Sequence, residues 1–167
     1  TSLEAYKKES DSADYAIVYT GPLDDYFDYR FGKLTWRSLR FEVERYDLAD
    51  YQGTSVVNHP DASVPYTRTH EFKHFCPGKH SELNKTVIYR EYPIQAESAA
   101  DCYYPVRSKQ DLEIYEKYRA LAIANSNTGD MFFFGGRLAE YKYYDMDATI
   151  ASALSLYERI KDRLRRR

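Results

Sequence analysis

The sequence predicts an α+β fold, in which an antiparallel sheet of strands of mixed length is followed by a helix, a strand and a second helix. Short segments with strand-like patterns, separated by Gly, Pro, Asn and Asp, occupy the first part of the chain. Two longer segments with apolar residues at helical spacing follow, on either side of a short apolar run. Strands and helices that are segregated along a chain are typical of this class.

The predicted strands are short and closely spaced. Residues 15–19 are apolar and stop at a Thr-Gly-Pro turn, which indicates a buried strand, and residues 23–32 predict a helical turn and a loop. Apolar and charged residues alternate over 39–44, the period-two pattern of a half-exposed strand. Because Gly, Pro, Asn and Asp separate the segments, antiparallel pairing is favoured. Further strands are predicted at 54–57, 66–75 and 86–91.

The helical part begins at a predicted capping box, Ser108 to Asp111, with Asp in the acidic position. Apolar residues then follow a helical rhythm to about Ala124, and residues 131–134 predict one more buried strand. From about Asp147 the helical spacing continues to the end of the chain. The closing basic run fits a helix C-terminus, where the helix dipole favours cations.

The composition excludes several classes of protein. A chain of 167 residues can bury one core or two small ones, and a formal net charge of −2 gives no field that attracts nucleic acid. No apolar run reaches transmembrane length and no signal peptide opens the sequence, so we expect no membrane insertion. Cys76 and Cys102 form neither a CxxC motif nor a disulfide framework, which fits a reducing cytoplasm.

Familiar catalytic signatures are missing from the sequence, which has no GxSxG, HExxH, Walker loop or paired Cys/His box. His70 and His74 stand four apart in a predicted strand, where another side chain would lie between them on the same face. Glu42 and Glu44 fit an exposed strand face better than a catalytic pair. We therefore expect no metal site, and no acid–base enzyme built from these residues alone.

Arginines that adjoin aromatic residues offer binding chemistry instead. A guanidinium binds phosphate through two hydrogen bonds, and a neighbouring ring can pack on a sugar or base. In residues 132–147 an apolar strand leads through a Gly-Gly pair to an arginine and a helix N-terminus, which favours an anion. With Asn58 and the tyrosines at 103, 104, 143 and 144, these residues predict a site for a phosphorylated sugar or nucleotide. The arginines are Arg37, Arg68, Arg90 and Arg137.

Five longer motifs make a family recognisable. They are, in order, YTGPLDDYFDYRFGKLTWRSLRFE, QGTSVVNHPDASVPYTRTHEFKHF, TVIYREYP, YYPV and GGRLAEYKYYDMD. In sequence and order they resemble the C-terminal portion of UDP-galactopyranose mutases, over about residues 15–160. The resemblance implies that the last helix–strand–helix completes a Rossmann-like FAD-binding domain in the full-length protein. It assigns residues 1–29 and 108–167 to that domain, and 30–107 to an antiparallel substrate domain.

The resemblance implies an isomerase that interconverts UDP-galactopyranose and UDP-galactofuranose. The family uses FAD, which must be reduced, and a covalent adduct between flavin N5 and galactose forms while UDP leaves. Electrons are not transferred overall, so the flavin acts as a nucleophile. The resemblance further implies a cytoplasmic homo-oligomer that serves galactofuranose biosynthesis for cell-wall or surface polysaccharides.

The resemblance also gives roles to residues of this sequence. Arg68, in VPYTR, would stabilise the departing diphosphate, and Asn58, in VVNHPD, would contact the substrate. The hydroxyls of Tyr104 and Tyr143 would reach the diphosphate. Arg137, in GGRL, would lie near flavin and substrate, which makes it the second catalytic candidate beside Arg68. The further cofactor-binding candidates are Thr20, Gly21, Tyr144, Asp145, Met146, Asp147, Ala148 and Thr149. The roles of Arg37 and Arg40 stay open between structure and function.

Two departures from the family pattern matter. Ala139 stands where the family usually has Gly in GRLG, which could alter the turn slightly. The sequence also has no GxGxxG with its following acidic residue, so the main FAD-binding βαβ unit is missing, as is the helical substrate domain. We therefore expect that these 167 residues alone neither bind FAD tightly nor catalyse the reaction.

Two other interpretations of the sequence remain. A non-catalytic, tyrosine-rich domain that binds nucleotide sugars is the main alternative, and an upstream GxGxxG in the open reading frame would decide for the enzyme. An oxidoreductase that shares the flavin fold is disfavoured by the substrate-side matches at Asn58, Arg68 and Tyr104.

Overall fold

The computed structural model describes residues 16–76, 78, 82–127 and 132–166, and the chain divides into two compact units. The first unit comprises Thr1–Arg37 and Ala96–Arg167, and the second comprises Ser38–Gln95. The strands are β1 (Ile17–Tyr19), β2 (Trp36–Tyr46), β3 (Val56–Asn58), β4 (Arg68–Glu71), β5 (Thr86–Gln95), β6 (Tyr104–Pro105) and β7 (Phe132–Phe134). The helices are α1 (Leu23–Tyr26), α2 (Lys109–Asn127), α3 (Gly136–Ala139) and α4 (Met146–Arg165), with 3-10 turns at Phe72–Phe75 and Ala99–Asp101.

The first unit combines a parallel strand pair with the long helices. β1 pairs in parallel with β7, with Ile17 opposite Phe132 and Tyr19 opposite Phe134. β6 pairs antiparallel with the first two residues of β2. The main core cluster is aromatic and joins Trp36 to tyrosines of α2 and of the segment after α3. Its buried members are Leu23, Leu34, Trp36, Tyr115, Tyr118, Ala122, Ala139 and Tyr141.

Residues 31–35 form neither helix nor strand, and Leu34 among them packs in this core, so the backbone groups of the segment need partners from elsewhere. Side chains distant in sequence supply them. The Tyr118 hydroxyl accepts from the Phe31 N–H at 2.9 Å and donates to the Gly32 carbonyl at 2.8 Å. Asp24 accepts from the Leu34 N–H at 2.9 Å. The backbone of Thr35 donates to Asp111 and accepts from the Tyr141 hydroxyl.

The second unit has a polar core. Its strands lie in the order β3-β4-β5-β2, and the β3–β4 and β4–β5 pairs are antiparallel. Among its described residues, Ile88 is the one buried apolar side chain, whereas five buried side chains are polar. Glu71 is fully buried and accepts hydrogen bonds from the Tyr51 and Gln52 backbone and from Thr86. Burial of so many polar groups is tolerated because they pair with one another. The buried polar residues of this unit are Ser38, Thr69, Glu71, Thr86 and Glu91.

The structure confirms most predicted elements and corrects one of them. The strand at 66–75 was predicted too long: it spans Arg68–Glu71, and residues 72–75 form a 3-10 turn. In that turn Lys73 donates to the carbonyls of Leu83 and Lys85 instead of continuing the strand. His74 therefore does not share a strand with His70. The predicted strands at 15–19 and 131–134 appear as β1 and β7, with Tyr15 and Met131 outside the described residues.

The helices follow the predicted pattern closely. α2 extends three residues beyond the predicted end at Ala124, and α4 begins at Met146, one residue before the predicted start. The capping box is present, since the Ser108 N–H donates to Asp111 at 3.0 Å and the Asp111 N–H donates to the Ser108 hydroxyl at 3.1 Å. Among the described residues, no helix is both long and apolar enough to cross a membrane.

Asp111 should stabilise the first unit strongly at neutral pH. Its carboxylate accepts from the N–H and hydroxyl of both Thr35 and Ser108. Burial alone would raise the pKa of Asp111, but these hydrogen bonds outweigh it and hold the pKa below its usual range. We expect Asp111→Asn to lower the free energy of unfolding by about 2 kcal/mol at pH 7, because hydrogen bonds to a charged group are lost.

Urea unfolding at several pH values measures this effect. A carboxyl group with a lowered pKa in the folded state stabilises above its unfolded pKa of about 3.9 and loses that contribution as the pH falls through its folded value. The difference between wild type and Asp111→Asn should therefore shrink in acid. Glu113→Gln, an exposed change on the same helix, is the matched control. Equal stability of Asp111→Asn and wild type at pH 7 would contradict the prediction.

Candidate functional site

The predicted turn residues of the first unit meet at the carboxyl ends of β1 and β7. The Gly135 N–H donates to the Tyr19 carbonyl at 3.1 Å, which continues the strand pairing into the turns. Gly136 has a φ of +83°, and a Cβ added there would lie 3.6 Å from Thr20. The left-handed conformation at Gly136 lets α3 start directly after β7. Thr20 and the Gly-Gly turn are thus neighbours, in the part of a parallel sheet where ligands usually bind.

Arg137, Tyr104 and Tyr143 form one stack in the first unit. The Arg137 guanidinium carbon lies 5.0 Å from the centre of the Tyr104 ring, within the range of a cation–π contact. The rings of Tyr104 and Tyr143 are stacked, with their centres 5.3 Å apart and an angle of 22° between planes. The Tyr143 residue is 63% exposed. Three residues that the sequence predicted to act together are therefore in contact, and they offer a cation and aromatic hydroxyls.

Tyr141 anchors the segment that carries Arg137 and Tyr143, and the sequence did not single it out. It is 1% exposed and has a positive φ of 47°, which is uncommon for a residue other than glycine. Its hydroxyl donates to the Thr35 carbonyl at 2.8 Å, and its ring packs edge-on against Trp36. Burial raises the pKa of Tyr141 to about 12, so the hydroxyl stays protonated and able to donate. No sequence signal marks Tyr141, because its bond to Thr35 joins residues 106 apart in the chain.

The predicted stretch Tyr144–Thr149 forms the beginning of α4. Asp145 is the N-cap residue with extended backbone, and no side chain caps the first turn. Met146 is 85% exposed at this end of a 20-residue helix. The Tyr144 hydroxyl is already engaged, since it donates to Glu140 and accepts from Lys142. The N-terminus of α4 therefore offers backbone N–H groups and the positive end of the helix dipole.

Asn58 and Arg68 lie side by side in the second unit. The pairing places Asn58 opposite Arg68, and Arg68 opposite Glu91, across three adjacent strands. Arg68 Nε donates to Asn58 at 2.9 Å, and its Nη1 lies 3.6 Å from a Glu91 oxygen. His70 lies 3.3 Å from the same oxygen. The Arg68 side chain is 42% exposed, so its guanidinium is held at one end and can bind an anion at the other.

The other arginines with aromatic neighbours have different surroundings. Arg90 donates to the Glu44 carboxylate through Nε at 3.0 Å and Nη2 at 2.9 Å. Its guanidinium carbon lies 4.8 Å from the centre of the Tyr66 ring. The bond from Arg90 is the main reason that the pKa of Glu44 is below its usual range. Arg90 is thus neutralised by an ion pair. Arg40 pairs with Glu42 and lies over the Tyr92 ring, while Arg37 is an exposed residue whose carbonyl accepts from Tyr103.

The predicted site residues thus fall into two groups, one within each unit, and comparison with known proteins identifies the family to which they belong. The family model described as UDP-galactopyranose mutase matches residues 1–143. The chain belongs to the UDP-galactopyranose mutase family. The match includes Asn58, Arg68, Tyr104, Arg137 and Tyr143, and ends before Tyr144–Thr149.

Individual relatives place the chain within longer mutases. It is 42% identical over 142 residues to a probable UDP-galactopyranose mutase from Klebsiella pneumoniae. It is 38% identical over 138 residues to a dTDP-fucopyranose mutase from Escherichia coli, and 34% identical over 148 residues to a UDP-galactopyranose mutase from Mycoplasma pneumoniae. These alignments cover 84%, 83% and 86% of this chain. They cover only 35%, 35% and 36% of the relatives, so the chain spans about a third of their length.

Tyr141 and Tyr143 should respond differently to loss of the side-chain hydroxyl. Tyr141→Phe removes a buried bond to the Thr35 carbonyl and should lower the free energy of unfolding by about 1 kcal/mol. Tyr143→Phe keeps the exposed stacked ring, so it should change the free energy of unfolding by less than about 0.5 kcal/mol. Urea unfolding of the two variants measures the contrast. If Tyr143→Phe were the more damaging change, Tyr143 would be a structural residue.

Proposed function

We propose that this chain provides the diphosphate-binding and flavin-facing residues of an enzyme that interconverts UDP-galactopyranose and UDP-galactofuranose. The observation that carries the proposal is the position of Arg68, which Asn58 and Glu91 hold while its side chain stays 42% exposed. An oriented, accessible cation suits a diphosphate that gains negative charge as the glycosyl bond breaks. Membership of the mutase family supports the proposal that the bound anion is the diphosphate of a nucleotide sugar.

Each substrate-side residue has a separate role in the proposal. Arg68 binds the diphosphate and stabilises it as it leaves, and Asn58 contacts the substrate beside it. The hydroxyls of Tyr104 and Tyr143 donate to the diphosphate, from rings that are already stacked and therefore lose little freedom on binding. Arg137, held over the Tyr104 ring, is proposed to act near the flavin and the substrate.

The first unit has residues that fit the edge of a flavin. The first turn of α4 carries no side-chain cap, so its N–H groups and dipole can face a negatively charged group. Thr20, Gly21, Arg137 and Tyr144–Thr149 are the residues proposed to hold FAD, and the exposed Met146 side chain suits an aromatic ring face. When bound and reduced, FAD would supply the nucleophile, N5, that bonds to the sugar. The chain's own part is to orient the sugar nucleotide and hold the departing diphosphate.

The proposed activity belongs to a protein that contains more than these residues. The sequence has no GxGxxG unit for the FAD pyrophosphate, and its aligned part covers only 35% of the relative from Klebsiella pneumoniae. We propose that the full-length protein is a homo-oligomer that serves galactofuranose-containing polysaccharides, and that these 167 residues alone do not turn over. A cytoplasmic site of action is consistent with Cys76 and Cys102 being unpaired thiols.

Turnover of UDP-galactofuranose by the full-length protein with reduced FAD tests the role of Arg68. We expect Arg68→Ala to lower kcat roughly 100-fold or more, as happens when a donor to developing negative charge is removed. Arg68→Lys should keep part of the activity, because an ammonium retains the charge but not the planar geometry. The matched control is Arg45→Ala, an exposed arginine on β2 of the same unit.

Two outcomes of this assay would be decisive. Full activity in Arg68→Ala would contradict the proposed diphosphate role. Turnover of a dTDP-fucose substrate in preference to UDP-galactose would contradict the proposed substrate, and is worth measuring because one relative at 38% identity is named a dTDP-fucopyranose mutase.

A further inference from the structure

Three side chains of the second unit, Asp50, Glu71 and His74, bring potential metal ligands together. Asp50 follows β2 in a loop, Glu71 ends β4, and His74 lies in the 3-10 turn that follows. One ligand atom from each side chain lies within 4.8 Å of the other two. The sequence predicted no metal site, because it placed His74 in a strand with His70. From this cluster we propose that Asp50, Glu71 and His74 form a zinc-binding site, which is independent of the mutase proposal.

The distances suit a tetrahedral ion. His74 Nε2 lies 3.3 Å from Asp50 Oδ2 and 3.5 Å from Glu71 Oε2. Ligand atoms about 2.0–2.2 Å from Zn²⁺ in a tetrahedron are separated by about 3.4 Å. Both distances to the imidazole nitrogen therefore already match the edge of such a tetrahedron, and the two carboxylate ligand atoms lie within 4.8 Å of each other.

The ligand atoms are held by the backbone around them. Oδ1 of Asp50 accepts from the Gly53 N–H at 2.7 Å, which leaves Oδ2 turned toward His74. Glu71 is fully buried and is fixed by the Gln52 N–H at 2.9 Å and the Thr86 hydroxyl at 2.6 Å. Hydrogen bonds of this kind orient carboxylate ligands in established metal sites and increase their affinity.

Charge and accessibility also favour a cation of this type. Two carboxylates face one imidazole nitrogen, and that nitrogen is shielded from solvent. The neighbouring cation, Lys73, instead donates to the carbonyls of Leu83 and Lys85. A mixed set of imidazole and carboxylates selects Zn²⁺ over Mg²⁺ and Ca²⁺, which prefer oxygen alone. The Asp50 side chain is half exposed, so water can complete the coordination.

The test is a titration of the purified chain with Zn²⁺ alone, in competition with a chromophoric chelator. Wild type should bind one Zn²⁺ per chain, and Asp50→Asn and His74→Ala should each weaken binding at least tenfold, since loss even of a supporting residue costs about that much. Asp50→Asn keeps an acceptor for the Gly53 N–H, so it tests the charge with little risk to folding. The matched control is His59→Ala, a histidine of the same unit outside the cluster, which should bind as wild type does.

The thermal midpoint provides a second readout. Zn²⁺ should raise it for wild type and for His59→Ala, because a ligand that binds the folded state stabilises it, and should not raise it for Asp50→Asn. Failure of wild type to compete with the chelator would overturn the proposal and leave a histidine that simply pairs with two carboxylates. Equal Zn²⁺ affinity in Asp50→Asn, His74→Ala and wild type would overturn it as well.

Discussion

The first unit depends on how the irregular backbone of residues 31–35 satisfies its hydrogen bonds. A buried N–H or carbonyl group without a partner costs about 1–3 kcal/mol, and Leu34 of this segment is a buried member of the aromatic core. Tyr118, Asp24, Asp111 and Tyr141 provide the partners. These residues come from α1, α2 and the segment after α3, so one short stretch of backbone connects most of the unit. Loss of any one partner should therefore destabilise more of the unit than the single contact.

The same hydrogen bonds place the residues of the candidate site. Thr35 is joined to Tyr141, which lies between Arg137 and Tyr143 in sequence. The next residue, Trp36, begins β2, and its partner strand β6 carries Tyr104. The Tyr104 ring makes a cation–π contact with Arg137 and stacks with the ring of Tyr143. One segment thus contributes Tyr141 to a buried structural network and Tyr143 to the exposed candidate site, which explains why these neighbouring tyrosines have such different surroundings.

Local patterns in the sequence predicted much of this structure. The capping box at Ser108, the helical spacing of α2 and α4, and the apolar runs of β1 and β7 are all properties of neighbouring residues. The clustering of Arg137, Tyr104 and Tyr143, and of Asn58 and Arg68, followed from motifs of the family. The glycine pair before Arg137 also predicted a turn, and in the structure Gly136 has a positive φ there.

Features that rest on distant contacts could not be predicted in this way. Nothing around Glu71 indicates that it is fully buried, because its partners Tyr51, Gln52 and Thr86 lie in two other segments. The end of β4 was missed for the same reason, since Lys73 is held by carbonyls of residues 83 and 85. Tyr141 could not be distinguished from the nearby tyrosines for the same reason, since its partner Thr35 is 106 residues away in the chain.

Amide hydrogen exchange at Phe31, Leu34 and Thr35, followed by NMR, tests the central role of this segment most directly. Their N–H groups donate to the side chains of Tyr118, Asp24 and Asp111, so they should exchange orders of magnitude more slowly than in an unstructured peptide, at rates similar to those in the middle of α2. Exchange of these three amides at unprotected rates would show that the segment is not held by these side chains, and would contradict the proposed basis of the first unit.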